Sequence, residues 1–137
     1  MMPLYYGDQG GFHVEAQARI TGFEPGDPTD VLAPGNPYTR FTVFFADTMT
    51  PGSTAHCAYR RGYVPSPDQP NAYDLAAGER HMFATCYRPE DLFYKNMLMR
   101  VEIVDASNGY AVNEVPFEAL PPVDWNPNDP PPTGGGC

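Results

Sequence analysis

The three histidines are the first residues to test for chemistry, because imidazole is both a common zinc ligand and a general base. His13, His56 and His81 are the only histidines in the chain. A zinc site would need their rings to converge from neighbouring strands, and no His-x-His or His-x-x-x-His spacing is present. Strand alternation places His13 and His56 opposite the small and apolar side chains. We therefore expect solvent-facing histidines, with no metal site and no cofactor.

The three cysteines could carry a nucleophile or a disulfide. Cys57 follows His56, but adjacent strand residues point to opposite faces, so the two cannot form a nucleophile–base dyad. Cys86 and His81 have the same parity problem. Cys57 and Cys86 either face each other across a sandwich as a disulfide or remain two buried thiols. Cys137 ends a Gly-Gly-Gly-Cys tail, as a free thiol, an intermolecular link or a remnant of cloning.

Acidic side chains are the remaining candidates for metal binding or catalysis. Four residues in predicted loops could bind calcium or simply form turns: Asp27, Asp30, Asp105 and Asn108. No Asp-x-Asp-x-Asp-Gly spacing is present. A glycosidase would need two carboxylates about 5 to 9 Å apart across a cleft. Three strand residues could supply them: Glu15, Glu102 and Glu114. No phosphate-binding or nucleophile-elbow motif occurs, so we expect no enzymatic activity.

Alternation of apolar and polar residues predicts an all-β chain. From Phe12 to Ile20 every second residue is apolar, which is typical of a half-buried antiparallel strand, here extending to about Phe23. Further strands are predicted at 39–47, 54–60, 79–88, 97–104 and 110–120. Turns are predicted at 50–52 and 105–109, long loops at 24–37 and 62–78, and a short helical turn at 89–95. This pattern favours an antiparallel β-sandwich of six or seven strands.

Composition excludes several classes of protein. The chain has 137 residues, including 17 Pro and 13 Gly, so one domain without long helices is expected. The formal net charge of −9 opposes binding to a nucleic-acid backbone. No apolar stretch is long enough to span a bilayer. The N-terminus lacks signal-peptide features, so we expect synthesis in the cytoplasm, or an extracellular location if the chain is a processed fragment.

The two ends differ from the body of the chain. Residues 1–11 contain three glycines, and residues 121–137 contain nine Pro or Gly residues. Neither is expected to pack a core, so both are predicted to be extended arms around a folded domain at 12–120. Interface cores are enriched in aromatic residues. Candidate partner-binding residues lie in the arms or on second strand faces: Tyr5, Tyr6, Phe44, Tyr94 and Trp125. For Phe44 and Tyr94, packing within the sheet is equally compatible.

From Leu32 onward the order of features resembles an immunoglobulin-like module of the CARDB-like family. Three short stretches carry the resemblance: Phe-Thr-Val-Phe-Phe at 41–45, Leu-Ala-Ala-Gly-Glu at 75–79, and Val-Glu-Ile-Val-Asp at 101–105, followed by Asn108 and Asn113-Glu114. The resemblance implies an immunoglobulin-like sandwich of about seven strands, used on bacterial or viral surfaces for adhesion, spacing or assembly. The chain departs from antibody domains because its only tryptophan, Trp125, lies in the tail.

These features favour a non-enzymatic structural protein that docks on a larger protein assembly. A virion surface, as in capsid decoration, or another multi-copy shell or filament fits best, and a homo-oligomer is expected. A second hypothesis is an extracellular module that binds carbohydrate or a host receptor through loops 24–37 and 62–78, using Tyr38, Tyr63 and Tyr73. A third is a small metal-dependent hydrolase on a sandwich scaffold.

Overall fold

A computed structural model describes residues 1–7, 11–52, 59–76, 78–83 and 87–128. This part of the chain is mostly strand, with one four-residue helix, so the all-β prediction is confirmed. The elements in chain order are β1 (Met2–Pro3), β2 (Tyr5–Gly7), β3 (Gly11–Ala16), β4 (Arg19–Thr21), β5 (Tyr38–Phe45), β6 (Thr50–Pro51), β7 (Tyr59–Arg60), β8 (Tyr63–Pro65), β9 (Ala72–Leu75), β10 (Glu79–Met82), α1 (Pro89–Leu92), β11 (Asn96–Val104) and β12 (Tyr110–Leu120).

The longest strands form one six-stranded sheet. β11 is antiparallel to β5 on one side and to β12 on the other. β6 and β7 pair with β5, and β1 joins the far edge of β12 in parallel. Alternate residues are buried along β5, for example Phe41 and Val43, and at the end of β12, where Phe117 and Ala119 are buried. The bounds of these three long strands agree with the predictions to within two residues.

Two three-stranded sheets follow one another along a single ribbon. β3 pairs with β2 and β10, and β4 pairs with β9 and β8. Only Gln17 and Ala18 separate β3 from β4, and only 76–78 separate β9 from β10. The Gln17 side-chain amide donates to the Leu75 carbonyl at 3.2 Å, and the Leu75 N–H donates to the Ala18 carbonyl at 2.9 Å. These bonds hold the ribbon together where its regular ladder is interrupted.

One core cluster joins residues from all three sheets. The predicted alternation is confirmed by the buried side chains of the first two ribbon strands: Phe12, Val14, Ala16, Ala18 and Ile20. They belong to the same cluster as the inward residues of β5, β11 and β12 and as Leu92 of α1. The core therefore lies between the six-stranded sheet and the ribbon. Burial of these apolar side chains is the main force that stabilises such a fold.

The prediction of an irregular arm at 1–11 is wrong for residues 1–7. β1 pairs with the end of β12, and the Leu4 N–H donates to the Leu120 carbonyl at 2.9 Å. β2 then pairs with β3 in the ribbon. The Leu4 side chain is 1% exposed and belongs to the core cluster. Strands of two and three residues are too short to show an alternating pattern, so neither strand could be predicted from it.

The C-terminal segment at 121–128 also lies against the domain. Trp125 is half-buried, with its ring 5.5 Å from Phe12 and 5.3 Å from Phe93, the latter edge-on. The prediction that the segment packs no core is therefore wrong for this part. Residues 129–137 lie outside the described residues.

The predicted loop at 62–78 contains a β-hairpin instead. β8 and β9 pair from Tyr63 to Leu75, and Asn71 adopts a left-handed φ of 60° where the chain turns. Pro65 ends its strand and Pro67 lies in the turn, where a missing N–H removes no interior ladder bond. The prolines in this stretch therefore did not indicate a loop without strands.

The loop at 24–37 is irregular, as predicted, and Asn36 organises it. This side chain is 1% exposed. Its amide oxygen accepts from the Asp27 N–H at 2.7 Å, and its amide nitrogen donates to the Asp30 carbonyl at 2.7 Å. Burial of an amide is tolerated because both of its polar atoms find partners.

The turn predicted at 50–52 lies earlier in the chain. Thr50 and Pro51 form β6, and the reversal occurs over 46–49, with Met49 at a φ of 53°. The turn at 105–109 is confirmed, with Asn108 at a φ of 63°. The helical turn at 89–95 is also confirmed as α1, which begins with proline and has two acids in its first turn.

No helix in the described ranges is long and apolar enough to cross a membrane.

Candidate functional site

The outer strand of the six-stranded sheet leaves most of one edge unpaired. β1 covers only Ala119 and Leu120 of β12, and no described residue pairs with this edge from 110 to 118. The Ala119 N–H donates to the Lys95 carbonyl at 3.0 Å, so the odd-numbered backbone groups of β12 face β11. The even-numbered groups face outward, in agreement with the bond from the Leu4 N–H to the Leu120 carbonyl.

Backbone groups of Tyr110, Val112 and Glu114 line this free edge. The Glu114 N–H already bonds to the Asn113 side chain at 2.9 Å, and Pro116 has no N–H. Within 110–114, Tyr110 and Val112 therefore supply the open donors, and their side chains are 59% and 51% exposed. A long exposed edge with apolar side chains is a template for pairing with another strand.

The outward face of the same sheet carries a ladder of ion pairs. Arg100 pairs with Glu114 across β11 and β12 at 2.6 Å, and Arg40 pairs with Glu102 across β5 and β11 at 2.6 Å. The Arg100 guanidinium also lies 4.8 Å from the centre of the Phe44 ring, a cation–π distance. Glu102 and Glu114 are thus neutralised within the chain.

A cavity of about 380 Å³ opens under the free edge, between β4 and the inner face of β12. Its apolar lining includes Phe23 from the segment after β4, Val101 and Ile103 from β11, and Val115 from β12. Val115 is 48% exposed although it points to the core side of its strand. The ribbon therefore leaves the core partly open beside the free edge.

A larger cleft of about 660 Å³ lies where the β5–β6 turn meets α1 and the start of β11. It combines aromatic, acidic, basic, hydroxyl and amide side chains: Phe45, Asp47, Thr48, Thr50, Tyr87, Asp91, Tyr94, Lys95 and Asn96. The Phe45 and Tyr87 rings pack edge-on with centroids 5.3 Å apart. We call this cleft the Tyr94 cleft, because Tyr94 is its most exposed aromatic residue, at 66%.

Tyr94 has an unusual backbone conformation for its residue type. It follows the C-cap of α1, Phe93, with a φ of 60°, a position that usually carries glycine. The left-handed conformation costs a residue with a Cβ about 1 to 2 kcal/mol. The Tyr94 N–H donates to the Ala119 carbonyl at 2.7 Å, which fixes the strained residue against β12.

The predicted partner-binding residues lie in different surroundings. Tyr94 lines the cleft, and Phe44 is half-buried under Arg100. Tyr5 is 44% exposed and stacks on His13 at 5.5 Å. The Tyr6 backbone pairs with β3, and its side chain lies outside the described part. Trp125 packs on its own domain, as described above. A partner-binding role for this set remains a prediction.

The histidine and cysteine predictions have mixed outcomes. His13 is 7% exposed, so the expectation of a solvent-facing ring is wrong there, because Tyr5 on β2 covers it. His56 and the side chain of His81 lie outside the described residues. Cys57, Cys86 and Cys137 lie outside as well, and a disulfide between the first two remains a prediction. Within the described ranges, no group of three or more His, Cys, Asp or Glu residues is arranged to hold a metal ion.

The loop acids considered for calcium instead organise turns. The Asp27 carboxylate accepts from the Thr29 hydroxyl at 2.6 Å and from the Thr29 N–H at 2.8 Å, which lowers the pKa of Asp27. Asp30 accepts from the Leu32 N–H at 2.9 Å. Asp105, 8% exposed, accepts from the Gly109 N–H at 2.7 Å. The turn-forming interpretation of these residues is supported.

The residues considered for glycosidase and sugar chemistry do not all meet in one place. Glu102 and Glu114 lie on the same face of neighbouring strands, where each is held in the ion-pair ladder, whereas Glu15 is an exposed residue of β3. Tyr63 is 1% exposed and shares a 2.7 Å hydrogen bond with the Thr39 hydroxyl, and burial raises the pKa of Tyr63. The remaining two tyrosines lie apart, Tyr38 under Arg60 at 4.7 Å and Tyr73 half-buried on β9.

A charged cluster fastens the hairpin of β8 and β9 to β4. The Arg19 guanidinium contacts both oxygens of Asp74 at 2.6 and 3.1 Å, and Asp68 at 2.8 Å. The hydrogen bond from Arg19 lowers the pKa of Asp74. The Ser66 hydroxyl, 2.6 Å from Asp68, is the main cause that lowers the pKa of Asp68. These contacts hold the hairpin against β4.

The sequence did not single out the free edge of β12 or the polar residues of the Tyr94 cleft. The edge had one signal, since Tyr110-Ala111-Val112 carries apolar residues on both strand faces. No sequence pattern marked Asp47, Lys95 or Asn96, because only the fold brings their segments together.

Comparisons of the chain with protein-family models, with curated proteins and with solved structures each find no match.

Proposed function

We propose that the protein is a non-enzymatic, immunoglobulin-like β-sandwich whose copies meet edge to edge in a multi-copy assembly, such as a virion surface, a shell or a filament. The observation that carries the proposal is the free edge of β12 over 110–118. The core shared by the long sheet and the ribbon supports the sandwich, and the resemblance to CARDB-like modules supports a role in adhesion or assembly.

The occupant of the free edge is the same edge of a second copy. Two β12 strands related by a twofold axis would run antiparallel, and an axis at Val112 would place Val112 opposite the same residue of the second copy. Even-numbered backbone groups would then meet even-numbered groups, with Tyr110 opposite Glu114. This register uses the open donors of Tyr110 and Val112, and it pairs two exposed apolar side chains across the junction.

Local charges permit this pairing, although the whole-molecule charge opposes it. Glu114, the acid within the paired stretch, is already neutralised by Arg100 at 2.6 Å. The net charge of −9 on each copy still produces repulsion at long range. Salt shortens the range of that repulsion, from about 30 Å at 0.01 M to about 10 Å at 0.1 M ionic strength. Added salt should therefore strengthen the association.

The expected interface is small, so a single contact should be weak. One short strand pair falls in the range of transient interfaces, below about 1,200 Å². Dissociation constants on the order of 100 µM suit such a contact. A twofold contact closes on a pair of copies, so it would be one of several weak contacts that act together once the pairs are arrayed in a larger assembly.

The direct test is the solution mass as a function of concentration and salt, measured by light scattering. The wild-type chain should move from 15.1 kDa toward twice that mass as concentration and salt rise. Val112→Lys should remain monomeric, because it places two charges opposite each other at the axis. Val123→Lys is the matched control, since Val123 is 91% exposed and lies outside β12. A monomeric wild type at millimolar concentration, or equal association of both variants, would contradict the proposal.

A further inference from the structure

We propose that the Tyr94 cleft is a binding site for a neutral saccharide. The cleft is the larger of the two cavities described above, at about 660 Å³ against 380 Å³, which suits a small ligand. It does not involve the loops at 24–37 and 62–78 in which the sequence placed carbohydrate binding. It is also separate from the free edge of β12, so this site and the proposed assembly contact can be tested independently.

The charges that line the cleft oppose an anionic ligand and leave polar groups for a neutral one. Asp47 and Asp91 would repel an anion, and Lys95 balances one of these two carboxylates, so the lining keeps a net charge of only about −1. Asp47 and Lys95 form no ion pair with each other or with another residue in the described part of the chain. Both charges, together with the amide of Asn96, therefore remain available as acceptors and donors. Sugar hydroxyl groups match this mixture, because each can both donate and accept a hydrogen bond.

The aromatic residues supply an apolar surface beside these polar groups. Phe45 and Tyr87 are fixed against each other by their edge-on contact at 5.3 Å. The Tyr94 ring, 66% exposed, has no aromatic partner among the described residues. A pyranose presents an apolar C–H face as well as a rim of hydroxyls, so it can cover a ring while its rim meets Asp47 and Lys95.

The backbone of Tyr94 is the strongest sign that its side chain has a function. A φ of 60° favours glycine, and glycine at this position after α1 would relieve the strain. The chain instead keeps an aromatic side chain there, although two-thirds of its surface faces solvent. Strained residues of this kind concentrate at ligand sites, where the surrounding structure holds them in place.

The test begins with an array of printed oligosaccharides in three groups: neutral, uronic-acid-containing and amine-containing. Full-length protein should bind members of the neutral group in preference to the other two. Titration calorimetry with the best-bound neutral sugar should then show a loss of affinity of about tenfold or more in Tyr94→Gly and in Asp47→Asn. Tyr94→Phe keeps the ring and should stay within about threefold of wild type.

Tyr94→Gly separates loss of the site from loss of the fold. The variant should melt a few degrees higher than wild type, because it removes the strained Cβ, and it should still lose the sugar. Tyr38→Ala tests the alternative location and should bind as wild type does. The proposal is overturned if no neutral sugar binds, if the charged sugars bind best, if Tyr94→Gly retains wild-type affinity, or if Tyr38→Ala loses it.

Discussion

Replacing Leu4 with alanine tests whether the N-terminal residues belong to the core. Leu4 is 1% exposed, lies between β1 and β2, and is part of the core cluster. Its N–H bonds to the Leu120 carbonyl, which continues the parallel pairing of β1 with β12. Leu32→Ala is the matched control, because Leu32 has the same side chain at 82% exposure.

The expected loss of stability follows from the burial of the two leucines. Removing the Leu4 side chain beyond Cβ takes away its transfer free energy and leaves a cavity, which together cost about 2 to 5 kcal/mol in buried sites. For a chain of this length, each kcal/mol lowers the melting temperature by roughly 3 to 5 °C. Leu4→Ala should therefore melt roughly 10 °C below wild type. Leu32→Ala should change the free energy of unfolding by about 0.5 kcal/mol or less.

Urea denaturation followed by tryptophan fluorescence measures this difference directly. Trp125 is the only tryptophan, and its contacts with Phe12 and Phe93 make its emission sensitive to unfolding. The midpoint for Leu4→Ala should shift to lower urea, with an unchanged slope. A loss below about 0.5 kcal/mol would refute the reasoning, because it would mean that residues 1–7 contribute no more to stability than an exposed arm.

Two further predictions concern the hairpin that replaces the expected loop. Because Asp68 and Asp74 have lowered pKa values, their stabilising contribution should be present above about pH 4 and lost as the pH falls below it. The melting temperature measured across pH 2 to 7 should fall less steeply with acid in Asp74→Asn than in wild type, and parallel curves would count against this. Gly62→Ala should lose about 1 to 3 kcal/mol on urea denaturation, because its Cβ would collide with the Asp27 carbonyl. Gly78→Ala, whose Cβ meets only the Ala16 carbonyl at 3.6 Å, should be nearly neutral, and equal losses in both would refute the clash.

The long strands could be predicted from the sequence because each carries its own signal. From Phe12 to Ile20, and again along 97–104, every second residue is apolar, and Asn108-Gly109 marks the turn into the last strand. The short strands carry no such signal. β1, β2, β8 and β9 have two to four residues each, and tertiary hydrogen bonds rather than local preference place them in sheets.

The candidate sites were harder to predict than the strands. Tyr94 was identified as an aromatic residue outside the core, and the structure adds its strained backbone and its cleft. Trp125 was expected to anchor a neighbour, yet it packs against its own domain. The polar lining of the cleft comes from the β5–β6 turn and from the start of β11, which are about fifty residues apart in the chain. Sequence spacing cannot show that such segments meet.

Disulfide trapping across the proposed twofold axis tests the central claim most directly. Directly opposed residues of a hydrogen-bonded antiparallel pair have Cα atoms about 5.5 Å apart, within reach of a disulfide. Val112→Cys, in a Cys137→Ser background, should therefore form a covalent dimer under mild oxidation, and it should do so faster at higher salt. Val123→Cys in the same background should remain mainly monomeric. Equal crosslinking of the two variants, or no dimer from Val112→Cys, would contradict assembly through the free edge of β12.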